Sequence, residues 1–283
     1  MRRVGMLLKR SKPEAVEIAG QLAPWLAERG HQAFIVHEGG VPGATQVAEQ
    51  ALAEQIDLLL VLGGDGTLLH GALLVADRGI PILGVNLGHL GFLTSCAPAD
   101  AQVALERAIT GEMRIEERLR LRCVLRRSTG EEIVKFACND AVVSQGALAR
   151  LIELEAFLDG NLVTRYRADG LIVGTPTGST AYTLAAGGPI VTPDVRAFVV
   201  TPICPHTLTN RPLVAPASAR LTIKLAAPAD HVMFTIDGQW GTNLGQHDTL
   251  EISQASPPLY LFRPTESYFD VLRHKLRWGE REG

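Results

Sequence analysis

Nothing in this 283-residue sequence approaches the roughly 18 consecutive apolar residues that a membrane-spanning helix requires. Nor is there an excess of charge of one sign. The 27 Lys and Arg against 30 Asp and Glu leave a net charge of −3, which gives no global attraction to nucleic acid or to an anionic membrane. Cysteines are few: Cys96, Cys123, Cys138 and Cys204, with no Cys-x-x-Cys pair among them. That spacing argues against a zinc ribbon or dithiol redox motif, and sparse unpaired thiols fit a reducing cytosol. The stretch Met1 to Arg10 is basic, but its apolar segment is too short for a secretory signal. A cytoplasmic location is therefore expected. No internal repeat is visible, and 28 Gly with 16 Pro fall short of low complexity. What remains is ordinary globular composition, 46% hydrophobic and 20% charged. The length suggests about two domains, with enough chain to bury roughly three quarters of its unfolded surface without staples.

The first third alternates strand and helix signals. Val4 to Leu8 is a short apolar run, and Glu14 to Arg29 has helical spacing with Gly30 placed as its C-terminal cap. Gln32 to His37 reads as a strand, Thr45 to Gln55 as a helix, and Asp57 to Leu62 as a strand buried on both faces. A helix over Thr67 to Asp77, a strand over Ile80 to Val85 and a helix over residues 99–110 follow. This alternation predicts an α/β domain with a Rossmann-like parallel sheet over residues 1–113. Near residue 114 the period changes to two. Leu119, Leu121, Cys123 and Leu125 alternate with Arg118, Arg120, Arg122 and Arg126, which reads as a half-buried strand with a solvated or subunit-facing arginine face. Asp159-Gly160 and Asp237-Gly238 are hairpin turn signals, and only Ser179 to Ala186 looks helical. Residues 114–264 are thus expected to form a β-rich, sandwich-like domain. The amphipathic spacing of the tail, residues 265–283, allows it to return to the first domain.

Chemistry concentrates at Leu60-Val61-Leu62-Gly63-Gly64-Asp65-Gly66-Thr67. A buried strand ends, three glycines bracket one aspartate, and a helix begins. Ligands of open parallel sheets sit at the carboxyl ends of strands. Glycines let backbone amides approach a phosphate there, and the helix N-terminus adds positive potential. Gly63, Gly64, Gly66 and Thr67 are therefore candidate phosphate-binding residues. The turn is neither a Walker A loop, since no Lys-Ser/Thr follows, nor the dinucleotide fingerprint, since its third glycine is missing. Asp65 facing phosphates needs a cation or a proton nearby. It suits holding Mg²⁺ through water or accepting a proton from an attacking hydroxyl, both roles in phosphoryl transfer. The plain alternative is that Asp65 caps the helix at Thr67. A second glycine cluster, Gly84 to Thr94, would lie beside the first. Asn139-Asp140 suits ribose hydroxyls or an adenine edge. In Asp169 to Tyr182 a short apolar strand leads into Thr-Pro-Thr-Gly-Ser-Thr, whose hydroxyls cluster at a helix start, and Tyr182 adds a ring and a hydroxyl.

Taken together these segments resemble the NAD kinases, which make NADP⁺ from NAD⁺. The resemblance is carried by Gly63-Gly64-Asp65-Gly66-Thr67, Leu87 to Thr94, Asn139-Asp140, Asp169 to Tyr182 and Gly187-Gly188-Pro189-Ile190. Pro205-His206-Thr207-Leu208, Arg211-Pro212-Leu213 and Asp237-Gly238-Gln239 complete it, in family order, across most of residues 57–240. The Gly-Gly-Asp-Gly turn alone is shared with lipid kinases of the diacylglycerol type, whereas the Asp169 to Tyr182 segment is highly specific. Asp140 stands where the family often has Glu and keeps the charge with a shorter reach. The resemblance implies an α/β domain and a sandwich-like domain with a cleft between them. It implies Asp65 as the general base for the adenosine 2′-hydroxyl of NAD and Gly66 as a close backbone approach. It further implies Asn139 and Asp140 at the adenosine end, Asp169 at the nicotinamide end, and Thr180, Ala181, Tyr182, Thr183, Leu184 and Ala185 along the dinucleotide. Gln239 would close the pocket and Phe92 would pack near the adenine. His70, Arg150 and Arg167 occupy positions of polar or basic substrate contacts. Mg²⁺ would accompany the phosphate donor, ATP in most members and polyphosphate in some. The family also implies a homodimer or homotetramer, with neither nucleic acid nor membrane as a partner. A lipid kinase would need an apolar groove or membrane-facing patch, and none is evident. A dinucleotide sensor without chemistry would be expected to lose the aspartate, which is present.

Overall fold

The computed structural model describes residues 1–88, 91–94, 96–146, 151–207, 209–263 and 267–277. The chain divides into two compact units, residues 1–117 with 259–283, and residues 118–258.

The first unit opens with β1 (Arg3–Leu8), α1 (Pro13–Glu28), β2 (Gln32–Val36), β3 (Ala44–Gln46), α2 (Glu49–Gln55), β4 (Leu58–Gly63) and α3 (Asp65–Val75). After them come β5 (Ile82–Asn86), α4 (Ala101–Thr110) and β6 (Ile115–Arg118). The helix expected over Thr45 to Gln55 starts only at Glu49, because Ala44 to Gln46 pair with β2 as a parallel edge strand. Alternation along β1 and β4 explains the two helical layers. Val4, Met6, Leu8, Leu58, Leu60 and Leu62 pack with α1 and α4 in one core. On the other face Gly71 of α3 sits so close to Leu7, Leu59 and Val61 that a Cβ there would lie 3.0–3.2 Å from their methyls. Gly111 ends α4 in the left-handed region at φ 80°, where glycine carries no Cβ penalty.

The second unit holds β7 (Leu121–Arg126), β8 (Glu132–Ala137), β9 (Asp140–Gln145), β10 (Ile152–Leu158), β11 (Asn161–Ala168) and β12 (Gly170–Gly174). A 3₁₀ turn (Thr177–Thr180) and the one-turn α5 (Tyr182–Ala185) interrupt the strands. The strands resume as β13 (Ala197–Ile203), β14 (Leu213–Pro216), β15 (Leu221–Leu225), β16 (Val232–Ile236), β17 (Trp240–Asn243) and β18 (Thr249–Gln254). Among the described residues they form two six-stranded antiparallel sheets, ordered β11-β10-β15-β18-β7-β8 and β14-β13-β12-β9-β16-β17. Their inward residues, among them Leu154, Ile223, Val143, Val173, Phe198 and Phe234, share one core. Both expected Asp-Gly turns are present with positive φ at each position, 49° and 82° at Asp159-Gly160 and 50° and 64° at Asp237-Gly238.

One expectation fails here. The alternating arginines do not form a uniformly solvated face. Arg118 and Arg120 are buried, and Arg120 lies over the Phe136 ring at 5.0 Å while its Nε donates to the Pro257 carbonyl at 3.2 Å. A guanidinium tolerates burial when its planar face stacks and its edge is hydrogen-bonded. Arg126 behaves as expected, exposed and paired with Glu132 and Glu251.

The chain then returns to the first unit as β19 (Leu259–Phe262) and α6 (Tyr268–Leu276). β19 pairs parallel with β5, giving the seven-stranded order β3-β2-β1-β4-β5-β19-β6. A reciprocal capping box between Ser267 and Asp270 opens α6. Among the described residues no helix is long and apolar enough to cross a membrane.

Candidate active site

The carboxyl ends of β1, β4 and β5 bring the Gly-Gly-Asp-Gly turn into a defined place. Gly64 is the N-cap of α3, and Asp65 is its first helical residue. Asp65 does not cap the helix. Its side chain reaches 27 to 29 residues along the chain, to the loop after β5. Oδ2 accepts the Phe92 N–H at 2.8 Å. Oδ1 accepts the Leu93 and Thr94 N–H groups, each at 3.1 Å, and the Thr94 hydroxyl at 3.0 Å. A carboxylate offers about four lone-pair sites on two oxygens. Oδ1 is thus heavily used, while Oδ2, with one described donor, keeps capacity.

The glycines of the two clusters have different tasks. A Cβ at Gly91 would lie 2.0 Å from Asp65 Oδ1, and one at Gly63 would lie 2.5 Å from Thr67 Oγ1. These two glycines make room for the turn itself. At Gly64 and Gly66 a Cβ would meet, among the described residues and apart from the adjoining backbone, nothing within 4 Å. The space on the Cβ side of each is open, as a close approach by a ligand requires. Beside them a cavity of about 560 Å³ is lined by Lys9, Arg10, Gly64, Gly66, Thr67 and His70, among others. His70 Nε2 lies 2.8 Å from Glu49 Oε1. Phe92 is half-buried, with Tyr268 at 6.4 Å between ring centroids and Lys275 Nζ 4.8 Å from its own. The returning helix α6 thereby braces the loop that holds Asp65.

In the second unit a comparable arrangement gathers Asn139 and Asp140. The Asp237 carboxylate, at the β16–β17 turn, accepts the N–H groups of Cys138, Asn139 and Asp140 at 2.8–2.9 Å. The Asp237 N–H returns a bond to the Asp140 carbonyl. Asp140 is 5% exposed, and burial, with Asp237 close by, pushes its carboxyl up to about 7. Burial also raises Asp237, against the three N–H donors that favour its charged form. Asp237 carries no role in the sequence expectations. Its signal was the Asp-Gly turn, which predicts a hairpin but not what the side chain reaches.

The Thr-Pro-Thr-Gly-Ser-Thr segment is held against the same strand ends. The Thr175 N–H donates to the Asn139 carbonyl at 2.8 Å, and its hydroxyl donates to the Cys138 carbonyl at 2.6 Å. Gly178 is so close that a Cβ would lie 2.1 Å from the Asn139 carbonyl oxygen. The hydroxyls do not cluster at a ligand-facing helix start. Ser179 Oγ is buried, donates to the Pro176 carbonyl and accepts the Val191 N–H. Thr180 Oγ1 donates to the Thr177 carbonyl. Thr183 is fully buried, packed under Gly174 and Gly188. Thr180, Ala181 and Leu184 are half-buried, while Tyr182 and Ala185 are exposed, Tyr182 by 45%. Asp169 is exposed, its backbone tied to Ile203 and Gln145. Arg167 is exposed and pairs with Glu153 at 3.1 Å. Gln239 is exposed, one residue past the hairpin glycine. Arg150 lies outside the described residues.

Residues 4–113 match the ATP-NAD kinase N-terminal domain and residues 138–263 the ATP-NAD kinase C-terminal domain. The NAD kinase of Syntrophobacter fumaroxidans is 45% identical over 99% of this chain and all of its own length. The chain belongs to the NAD kinase family. The NAD kinase of Geotalea daltonii is 44% identical over the same shares. Among solved structures, yeast NADH kinase complexed with NADH has a TM-score of 0.91 at 29% identity, covering this whole chain and 89% of its own. An NAD kinase from Archaeoglobus fulgidus in complex with ATP has a TM-score of 0.79 at 26% identity, over 97% and 98% of the two chains. The expected α/β and β-rich architecture is therefore that of the family.

Proposed function

We propose that this chain transfers the γ-phosphoryl group of ATP to the adenosine 2′-hydroxyl of NAD, giving NADP and ADP, with Asp65 as general base. The observation that carries this reading is the Asp65 carboxylate. Four donors fix its direction, one oxygen keeps capacity, and the residue stands between Gly64 and Gly66, where an added Cβ would meet open space. In the reaction the 2′-oxygen forms a bond to the γ-phosphorus as the bond from that phosphorus to the β,γ-bridging oxygen breaks. The hydroxyl proton passes to Asp65 Oδ2, and ADP leaves with the bond pair. Little covalent work falls to the protein, so positioning dominates. The amides at the start of α3 and the nearby cations Lys9 and Arg10 suit the donor's phosphates.

Mg²⁺ suits the donor rather than a protein cage. Among the described residues no three His, Cys, Asp or Glu side chains converge, and Mg²⁺ commonly binds through substrate phosphates with one or two carboxylates. Asp65 is the carboxylate the turn offers, and the ion would neutralise phosphate charge when bound. Asn139, Asp140, Asp169, Tyr182 and Gln239 are assigned to NAD, and the chain is assigned to the cytoplasm as a homo-oligomer.

The test is NADP formation from NAD, ATP and Mg²⁺ by purified protein, read with an NADP-specific dehydrogenase. Asp65→Asn should lower turnover about 10²–10⁴-fold, the scale of general acid–base catalysis, while NAD still binds. Turnover near the wild-type rate in that variant removes Asp65 from the base role. NAD binding with no product from ATP or polyphosphate sinks the enzyme reading.

A further inference from the structure

The returning helix α6 carries two side chains to one ring. A reciprocal capping box between Ser267 and Asp270 fixes its start, and Val271 and Leu272 are buried. Tyr268 and Lys275 stand seven residues apart, about two turns of helix, and so project from the same face. The Tyr268 ring centroid lies 6.4 Å from that of Phe92, with the planes tilted by 43°. The Lys275 ammonium lies 4.8 Å from the Phe92 centroid, which is cation–π distance. Lys275 is exposed. An exposed ammonium is free to stay in water, and fixing its four-carbon stem costs rotamer entropy. Its placement over a ring therefore calls for a reason.

The reason lies in what Phe92 holds. Its ring is half-buried and belongs to neither of the two hydrophobic cores described above. Gly91 before it has no side chain with which to anchor the loop. Yet the Phe92 N–H is the one described donor to Asp65 Oδ2, at 2.8 Å. That is the oxygen to which the reaction above sends the proton. The backbone at residue 92 thus sets where Oδ2 points, and the ring of the same residue is steadied by α6. A cation over a ring at an exposed site biases its placement by roughly two- to fivefold in population. Such a bias is too small to carry the fold. It is large enough to show in turnover, because a reacting group displaced by about 1 Å costs on the order of 10²-fold.

We propose that Lys275 and Tyr268 are positioning residues for phosphoryl transfer. From one face of α6 they hold the Phe92 ring, and through the Phe92 N–H they hold the orientation of Asp65 Oδ2. The inference rests on the reading of Asp65 as the base. It gives the C-terminal helix a part in the chemical step, with the charge of Lys275 as its working feature.

Kinetics on the full chain test it. Lys275→Gln keeps much of the stem and removes the charge. It should lower kcat roughly two- to fivefold, with KM for ATP unchanged within about twofold. Tm should fall by no more than about 4 °C, the scale of one charge lost from a helix C-terminus. Lys275→Arg should restore kcat, because a guanidinium also stacks on a ring. Arg273→Gln removes a charge from the same last turn, where Arg273 pairs with Asp270, and kcat should hold. In a Phe92→Leu protein, Lys275→Gln should cost nothing further, since both changes remove one contact. Lys275→Gln with Tyr268→Leu should lower kcat about tenfold. Wild-type kcat in Lys275→Gln overturns the inference. So does an equal loss in the Phe92→Leu background, or a failure of arginine to restore turnover. If wild-type protein makes no NADP, or Asp65→Asn turns over at the wild-type rate, the failure belongs to the function proposed above.

Discussion

Gly91→Ala is the sharpest test of how the base is held. The new methyl would lie 2.0 Å from Asp65 Oδ1 and 2.4 Å from Thr94 Oγ1, where ordinary contact begins at 3.4 Å. Either the carboxylate or the loop must move by about 1.4 Å. Three of the four bonds to Asp65 end on Oδ1, at 3.0–3.1 Å. A shift of that size takes them beyond hydrogen-bonding distance. Hydrogen bonds to a charged group contribute roughly 1.5–3 kcal/mol each, so losing even two of these three costs about 3 kcal/mol or more. For a chain of this size that lowers Tm by roughly 6–12 °C, within the total stability of a typical domain. Turnover should suffer more. Misplacement of a reacting group by about 1 Å costs on the order of 10²-fold, so kcat should fall at least that far while KM for NAD changes little. Thr94→Val is the graded control. It removes one hydroxyl donor and leaves the three amides, so kcat should fall only several-fold. The assays are NADP formation and thermal unfolding of all three proteins. A Gly91→Ala protein with kcat within threefold of wild type would show that the 91–94 loop does not set the catalytic geometry, and the Asp65 assignment would go with it.

Other expectations follow from the same geometry. Gly66→Ala puts a methyl into open space within α3, where alanine is favoured over glycine by about 1 kcal/mol. Its Tm should hold or rise while kcat/KM falls at least tenfold, and unchanged kcat/KM would mean that no substrate approaches that backbone. The buried carboxyl of Asp140 holds its proton up to about pH 7, against an ordinary value near 3.8. Between those values the folded chain retains a proton that the unfolded chain has released, so stability falls as pH rises from about 4 to 7. Asp140→Asn should flatten that slope, as read from urea midpoints at pH 5 and pH 7.5, and parallel curves for the two proteins would refute the burial argument. Cys204 is exposed, Cys123 and Cys138 are buried, and burial raises half-buried Cys96 to about 11. A thiol reagent should therefore label one cysteine per native chain rapidly, and substituting Cys204 should abolish that fast phase.

The parts of the fold carried by local periodicity could be read directly. β4 is apolar at every position because helices cover both faces of a parallel sheet, and the two Asp-Gly hairpins require their positive φ values. What local pattern cannot carry is the destination of a side chain. Read from the sequence, Asp65 stands just before the helical run at Thr67, where an aspartate can cap, so the chain alone leaves both readings open; in the structure the cap is Gly64. The decision comes from Phe92, Leu93 and Thr94, brought alongside by the pairing of β4 with β5. Arg118 and Arg120 are buried against expectation for the related reason that strand alternation predicts a face but not what covers it. Ser179 stands in the sequence among the hydroxyls at a helix start, yet its Oγ is taken up by the Pro176 carbonyl and by the N–H of Val191, twelve residues on.

The same device recurs in the two units. Asp65 collects the N–H groups of three consecutive residues, 92–94, and Asp237 those of 138–140. Each carboxylate satisfies three backbone donors that would otherwise be stranded at a strand end or in a tight loop. Each therefore locks a loop or strand end to an element distant in sequence. At Asp237 the gain is structural, since the locked segment presents Asn139 and Asp140 and carries the Gly178 turn against its carbonyl. At Asp65 the locked loop in turn aims the carboxylate. This predicts that substituting Asp237 collapses stability before activity is measurable, whereas substituting Asp65 by Asn, which keeps an acceptor oxygen for the loop, removes chemistry from a protein that remains folded.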